Sequence, residues 1–409
     1  MAKADLIIGL DIGTTKICAV VGEPTDDGVD IVGIGTHPST GLRKGVVVNI
    51  EETVASIQKA LEEAELMAGC EIRTVYAGIA GSHIKGFNSH GVIAVKGGEV
   101  TAKDMERAME AAGAVAIPLD REVIHTLPQE YIVDDQRGII HPMGMAGVRL
   151  EVRVHIVTGA VTSAQNIVRA CHKSGLDVSD IVLESLASAK AVLTEEEREL
   201  GVALVDLGGG TTDIAVFADS SIKHTGVLAL GGQNLTNDIA FGLRAPMAAA
   251  ERIKIRHGCA MVDLVEQDEI IEVPSVGGRE PRRLSRRLLA EICQPRMEEV
   301  LELVDQELTR SGCRSMIGAG VVLTGGSALI DGCQELGEQI FNLPTRIGYP
   351  RNVGGLKDVV NSPKYATAVG LLCFGAEKEG PTVRNFRIRD GNVFERILSR
   401  MKKWFADIS

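Results

Sequence analysis

Residues 6–21, LIIGLDIGTTKICAVV, run from an apolar strand through an aspartate and a Gly-Thr-Thr turn into a second apolar strand. The same pattern returns in residues 201–217, GVALVDLGGGTTDIAVF, with two more glycines in the turn. Two such hairpins predict two similar α/β halves that face each other. After the first hairpin, Val54, Ile57, Leu61, Ala64 and Met67 recur at helical spacing and Gly69 follows as a C-cap signal, which predicts a helix. The strand TVYAGIAG comes next.

From residue 83 to about 159 the texture changes to short strands, one helix (AKDMERAMEAAGAVA) and polar loops holding Pro118, Pro128 and Pro142. This stretch reads as an inserted subdomain. The chain resumes with a helix (TSAQNIVRACHKSG), a strand (SDIVLES) and one further helix (LASAKAVLTEEEREL) before the second half begins. Residues 231–310 carry several helices and a hairpin-like stretch, EVPSVGGREPRRLSRR, and read as a second insertion. A strand, a Gly-Gly-Ser turn and a helix in GAGVVLTGGSALIDGCQELGEQI close that half, and the polar residues 376–391 look like a tether.

In residues 392–409, Val393, Phe394, Ile397, Leu398, Met401, Trp404, Phe405 and Ile408 form one helical stripe. The opposite face holds Arg396, Arg400, Lys402 and Lys403 against Glu395 and Asp407. A locally cationic, Trp-bearing amphipathic helix is suited to lie in a membrane interface, with a helix docked on the body or a coiled-coil segment as the alternatives. The eight side chains give one copy only modest, reversible affinity, so a row of tails on a filament binds far better.

Composition narrows the setting. The 409 residues, 45% hydrophobic with 46 glycines and 3% aromatics, supply cores and tight turns for an α/β protein with a cleft between halves. A net charge of −12 argues against nucleic acid and against a general anionic-membrane surface, so membrane binding has to be local. The cysteines form no C-x-x-C pair and read as reduced core thiols in a cytosol. The start, MAKADLIIGLDIG, is interrupted by Asp5 and Asp11 and does not read as a signal peptide, and no apolar run reaches the roughly 20 residues of a membrane span.

The turns suggest phosphate chemistry. Hydroxyls and unhindered backbone N–H groups form a concave set of donors, and an aspartate just before each turn can hold Mg²⁺ through waters. Asp11 with Gly13, Thr14 and Thr15 fits one clamp, and Asp206 with Gly208, Gly209, Gly210, Thr211 and Thr212 fits another. Either alone is also an ordinary hairpin turn; the shared grammar favours the clamp. The Gly325, Gly326 and Ser327 turn leaves room for a nucleotide, and Glu251 and Lys254, three apart on a helix face, are candidates to reach its ribose or base.

GLDIGTTK, VDLGGGTTDIAVF and VLTGGSALIDG, in this order, resemble the phosphate-1, phosphate-2 and adenosine motifs of the actin, DnaK-type chaperone and sugar kinase superfamily. VLESLASAKAVL and KYATAVGLL resemble its two connecting segments. LASAKAVLTEEERELGVALVDLGGGTTDIAVF, GGQNLTNDIAFGL and AERIKIRHG, with the tail, are more specifically similar to the FtsA family of bacterial cell division proteins. The resemblance implies an actin-like, ribonuclease H-like duplicated fold. Its parts would be subdomain 1A at 1–82 and 160–198, an inserted 1C at 83–159 in a place unusual relative to actin, and 2A at 199–235 and 300–375. Subdomain 2B would fall at 236–299, a linker at 376–391 and a membrane-targeting helix at 392–409.

It also implies Mg²⁺ near Asp11 and Asp206, with Lys16 beside them, and at most slow ATP hydrolysis. Glu184 and Asp213 match positions that place or activate the attacking water in chaperone relatives. Ser185 departs from the more usual Pro after that Glu. The implied partners are FtsZ, further copies of the chain, membrane-embedded late division proteins and anionic lipid, on the cytoplasmic face of the membrane at the division site. The rival readings are a small-molecule kinase, a chaperone-like ATPase and a pilus-assembly adaptor. The first lacks a separate substrate constellation, the second lacks a peptide-binding domain, and the third has no need of the cationic Trp-bearing tail.

Overall fold

In each half the hairpin strands form the middle of a sheet, because both faces of their apolar runs have to be covered. In the first half Ile7–Ile12 pairs antiparallel with Lys16–Thr25, which pairs antiparallel with Gly28–Pro38. On its other side Ile7–Ile12 runs parallel to Thr74–Ile79, which is followed by Asp177–Leu183. In the second half Val202–Leu207 pairs with Thr212–Ala218 and then Ser221–Leu228, and on its other side with Gly320–Thr324 and Thr345–Ile347. The two sheets therefore share one strand order and one set of directions. Val353–Gly355 adds a parallel sixth strand to the first. These relations come from a computed structural model that describes residues 6–25, 28–275, 277 and 279–378.

The helix Ile50–Ala68 starts where Asn49 accepts the Glu52 N–H and stops at Gly69, whose φ of 64° is left-handed. Val54, Ile57, Leu61 and Ala64 are buried as predicted, but Met67 is 45% exposed. Ala68 takes the inward place instead, because it packs on Gly33 of the adjacent strand. The single helix predicted over LASAKAVLTEEEREL is two, Glu184–Val192 and Glu195–Leu200. Thr194 and Glu197 form a reciprocal capping box there, which starts a new helix.

Between Thr74–Ile79 and the helix Val161–Lys173 the chain builds a separate antiparallel sheet, ordered Lys85–Ala94, Arg149–Ala160, Arg121–Val133, Gln136–Ile139. Three of these strands have 10, 12 and 13 residues, so the expectation of short strands fails. Pro128 lies inside the longest strand rather than in a loop. The strand tolerates it at a bulge, where the register steps from Glu130 opposite Arg153 to Pro128 opposite Val154. The helix Ala102–Gly113 covers one face, and Met105, Ala108 and Met109 meet Leu150, Val152, Val154 and Ile156 in a core of their own. At the root of this unit the Ala160 N–H donates to His83 Nδ1 (3.3 Å), and the Arg121 guanidinium donates to the carbonyls of His83 (2.7 Å) and Thr158 (2.9 Å).

In residues 231–310 the helices Gly232–Leu243, Met247–His257 and Arg286–Arg310 pack with a two-stranded sheet, Ile270–Val273 and Arg282–Ser285. Their apolar faces continue into the core of the second half's sheet. A third core joins the halves, where Ile7, Cys18 and Val20 meet Val202, Leu204, Val322, Val369 and Leu372. Of the cysteines, Cys18, Cys171, Cys259, Cys293, Cys313 and Cys333 are buried.

Candidate functional site

The two hairpin turns meet in the middle of the molecule. In the first, the Gly13 N–H donates to the Lys16 carbonyl (3.1 Å) just beyond the paired Ile12 and Ile17. A Cβ at Gly209 would lie 2.3 Å from Thr15 Cγ2, and one at Gly210 would lie 2.5 Å from Thr14 Oγ1. Only glycine lets the second turn come this close to the first. Thr14 Oγ1 accepts the Gly45 N–H (2.9 Å), and Thr212 Oγ1 donates to the Leu230 carbonyl (2.9 Å).

Four acidic side chains converge at these turns with one ammonium group. Lys16 Nζ donates to Asp11 Oδ2 at 2.8 Å. Burial pulls the Lys16 pKa down, but the Asp11 carboxylate, with Cys18 and Tyr365 beside it, holds the ammonium above its ordinary value. Asp206 stands directly opposite Asp213 in the hairpin register. Asp206 Oδ2 accepts from Ser188 Oγ (2.6 Å) and Thr367 Oγ1 (3.2 Å), and Asp213 Oδ2 accepts from Thr211 Oγ1 (2.8 Å). The other oxygen of Asp213, Oδ1, is buried without a partner.

Glu184, Asp206 and Asp213 hold their protons more tightly than free carboxylates. Burial, reinforced by the Asp206 charge, pushes Asp213 up to about 7. Burial also raises Asp206, with Asp11 adding to it while the Ser188 and Thr367 hydroxyls oppose it. Glu184 rises well above the usual carboxylate range through burial and then the charges of Asp11, Asp213 and Asp206. Its side chain lies against Gly78, where a Cβ would come within 3.0 Å of Glu184 Cγ. A pocket with four acids and one ammonium has an unmet demand for positive charge. No group of three His, Cys, Asp or Glu among the described residues is arranged to hold a metal ion directly.

The third turn closes the same site. Gly325, at a φ of 86°, lies so near Asp206 that a Cβ would be 2.4 Å from its Oδ1. The Gly208 carbonyl accepts from the Gly232 N–H (2.9 Å) and from Ser327 Oγ (3.4 Å). Lys254 is buried, and its ammonium donates to the Gly232 carbonyl (3.1 Å), Thr236 Oγ1 (2.9 Å) and Glu251 Oε2 (2.8 Å). Those three bonds use all its donors, so Lys254 shapes the wall of the site and Glu251 is the more exposed of the pair. Gly326 has open space beside it, with only Lys364 Cβ near, at 3.9 Å.

Sequence reasoning singled out neither Ser188 nor Thr367, and it passed over Gly232, Thr236 and Tyr365, whose ring lies 5.6 Å from the Lys16 ammonium. The available signal was a hydroxyl set among small apolar residues in LASAKA and KYATAVG. It also missed a cavity of about 460 Å³ away from the turns, between the four-stranded unit and the second half, lined by Gln129, Arg153, Lys223 and Met316 among others. The stripe Val393, Phe394, Ile397, Leu398, Met401, Trp404, Phe405 and Ile408 lies outside the described residues. Among those described, no helix is long and apolar enough to cross a membrane.

Two halves of one strand order, meeting at paired glycine turns, define an actin-like α/β protein. Solved structures share this fold at low identity. They include the PilM-PilN type IV pilus biogenesis complex (17% identical, TM-score 0.66, covering 90% of this chain and 98% of that one). MreB5 of Spiroplasma citri bound to ADP is another (15%, TM-score 0.55, 90% and 95%). The sequence is closer to other proteins. A family model described as Cell division protein FtsA matches residues 203–370, and one described as the SHS2 domain inserted in FTSA matches residues 81–158. The chain is 53% identical to Cell division protein FtsA of Pseudomonas aeruginosa over 98% of this chain and 97% of that one. It is 43% identical to that of Escherichia coli K12 over 98% of each. The chain belongs to the FtsA family of cell division proteins.

Proposed function

We propose that the chain binds Mg²⁺-ATP between its halves, polymerises on the cytoplasmic face of the cell membrane, holds FtsZ there and helps recruit membrane-embedded late division proteins. The observation that carries the nucleotide part is the convergence of Asp11, Glu184, Asp206 and Asp213 with Lys16 between two glycine turns in contact. A hydrated Mg²⁺ fits this donor set. Mg²⁺ keeps several waters, and the unpartnered Asp213 Oδ1 is an acceptor for one of them. Asp11 and Asp206 would hold the hydrated ion, which when bound supplies charge neutralisation for phosphate oxygens.

The chain's own residues do the rest. The N–H groups of Thr14, Thr15, Gly209 and Gly210 and the hydroxyls of Thr14 and Thr15 bind phosphate oxygens, while the Gly13 and Gly208 N–H groups hold the turns themselves in shape, and Lys16 supplies an ammonium. Gly325 to Ser327, with Glu251 over the wall that Lys254 braces, border the adenosine. Glu184 and Asp213 orient a water, and hydrolysis is slow at most. The bound nucleotide favours the closed arrangement of the halves, and closure favours assembly.

For the membrane part the support is the stripe and the cationic face of residues 392–409, together with the family. One experiment separates the two parts: ATP titration and liposome co-sedimentation on the same variants. Asp206→Ala weakens Mg²⁺-dependent ATP binding at least tenfold. Trp404→Glu abolishes co-sedimentation with anionic vesicles and leaves ATP affinity unchanged, because burying a carboxylate costs more than one tail's affinity supplies. Unchanged Mg²⁺ dependence in the first variant sinks the cleft assignment. A second variant that binds vesicles normally but melts early points to a tail docked on the body.

A further inference from the structure

The two hydroxyls on Asp206 come from outside its own hairpin. Ser188 lies on the helix Glu184–Val192 and Thr367 in the first turn of the helix Ala366–Lys378. These helices cross closely, since a Cβ at Gly370 would lie 1.8 Å from the Ala187 carbonyl oxygen. The helix Ala366–Lys378 also packs on the central strand of the first half, where a Cβ at Gly9 would lie 2.4 Å from the Ala368 carbonyl oxygen. Asp206, in contrast, belongs to the central strand of the second half.

We propose that Ser188 and Thr367 are positioning residues that lock the Asp206 carboxylate across the boundary between the halves, so that Oδ1 alone is left for the cation. The proposal rests on the Mg²⁺-ATP reading given above. Both hydroxyls reach the same oxygen, Oδ2, at 2.6 and 3.2 Å, and they lie 3.0 Å from each other. Ser188 is fully buried and Thr367 nearly so, so both bonds are shielded from bulk solvent. With Oδ2 held from one side and Gly325 against Oδ1, the carboxylate has one orientation. A shift of the crossing helices relative to the second half withdraws the donors and frees that carboxylate. Cation affinity is thereby tied to closure of the halves.

The test uses the full-length protein with Thr367→Val, Thr367→Ser, Ser188→Ala and Asp206→Ala. The readouts are the Mg²⁺ concentration that half-saturates ATP binding, ATP binding without Mg²⁺, and the melting temperature without nucleotide. Thr367→Val keeps the shape and removes the hydroxyl. It and Ser188→Ala should each raise the half-saturating Mg²⁺ about tenfold, the size of one lost hydrogen bond to a charged group, with Mg²⁺-free ATP binding unchanged. Thr367→Ser, which keeps the donor, should behave as wild type even where its melting temperature falls. If Asp206→Ala shifts the Mg²⁺ dependence and Thr367→Val does not, the positioning role is overturned and the cleft reading survives. If Asp206→Ala shifts nothing, both fall.

Discussion

Asp213 is 3% exposed, faces Asp206 across the hairpin, and has one oxygen without a hydrogen-bond partner among the described residues. Its carboxyl titrates near 3.8 when free and near 7 in the fold. Between those values the native state keeps a proton that the unfolded chain has lost, so this group's contribution to stability falls as pH rises from 4 to 7. Asparagine has the same shape, accepts the Thr211 hydroxyl equally well and carries no charge. In nucleotide-free protein, Asp213→Asn should therefore gain stability over wild type as pH rises, by about 4 kcal/mol at pH 8 and little at pH 4. Urea denaturation at both pH values measures it. A variant weakened equally at each would mean that the acid is held ionised by a partner rather than raised by burial.

At the level of elements, what the sequence declares depends on whether the deciding contact is local. Both hairpins are legible because Asp, Gly, Thr and Thr are consecutive, and the turn is made by the same residues that carry the chemistry. Asn49 and Gly69 likewise bracket their helix from within. The failures all involve a distant contact or a competing local one. Met67 loses the inward place to Ala68 because Gly33, a strand away, is the surface being fitted. The break at Thr194 was present as a Thr-x-x-Glu box, but the apolar and acidic run around it read as one helix. Pro128 reads as a loop signal until the bulge opposite Arg153 and Val154 is known. Lys254 reads as a ligand-facing charge, yet Gly232, Thr236 and Glu251 take up its three donors. Ser188 and Thr367 sit 179 residues apart and meet only through the crossing helices. No spacing rule would have paired them.

Across the whole molecule, a polar seam helps tie the four-stranded unit to the second half, beside the apolar contact that Leu127 makes with the shared core. His155 is 1% exposed, with Nδ1 2.7 Å from Asn88 Oδ1 and Nε2 2.9 Å from Thr225 Oγ1. Gln129 adds a donor to the Ile222 carbonyl (2.8 Å), and His224 beyond the seam pairs with Glu307 (2.9 Å). Thr225 belongs to the strand Ser221–Leu228, whose far end pairs Leu228 with Thr212 of the second glycine turn, so the seam and the cleft share one strand. Burial, with His224 nearby, lowers His155 to about 4. This shift has the opposite sign to that of Asp213. Below pH 6.5 the unfolded chain takes up a proton that the native imidazole refuses, so its contribution to stability is present above that pH and is lost on the way down to 4. In wild type the two groups oppose each other over the same interval. His155→Asn should cost about 1–2 kcal/mol at pH 7 through the lost hydrogen bonds, and that deficit should close by about 2 kcal/mol at pH 5. Relative to wild type, the stability curve then tilts down with rising pH, whereas Asp213→Asn tilts it up. Hydrogen exchange in Lys85–Ala94 and Ser221–Leu228 locates the change: wild-type protection there drops between pH 6.5 and 4 after correction for intrinsic rates, and the variant's does not. A deficit for His155→Asn that is constant with pH would show that this imidazole titrates normally and that the seam does not sense protons.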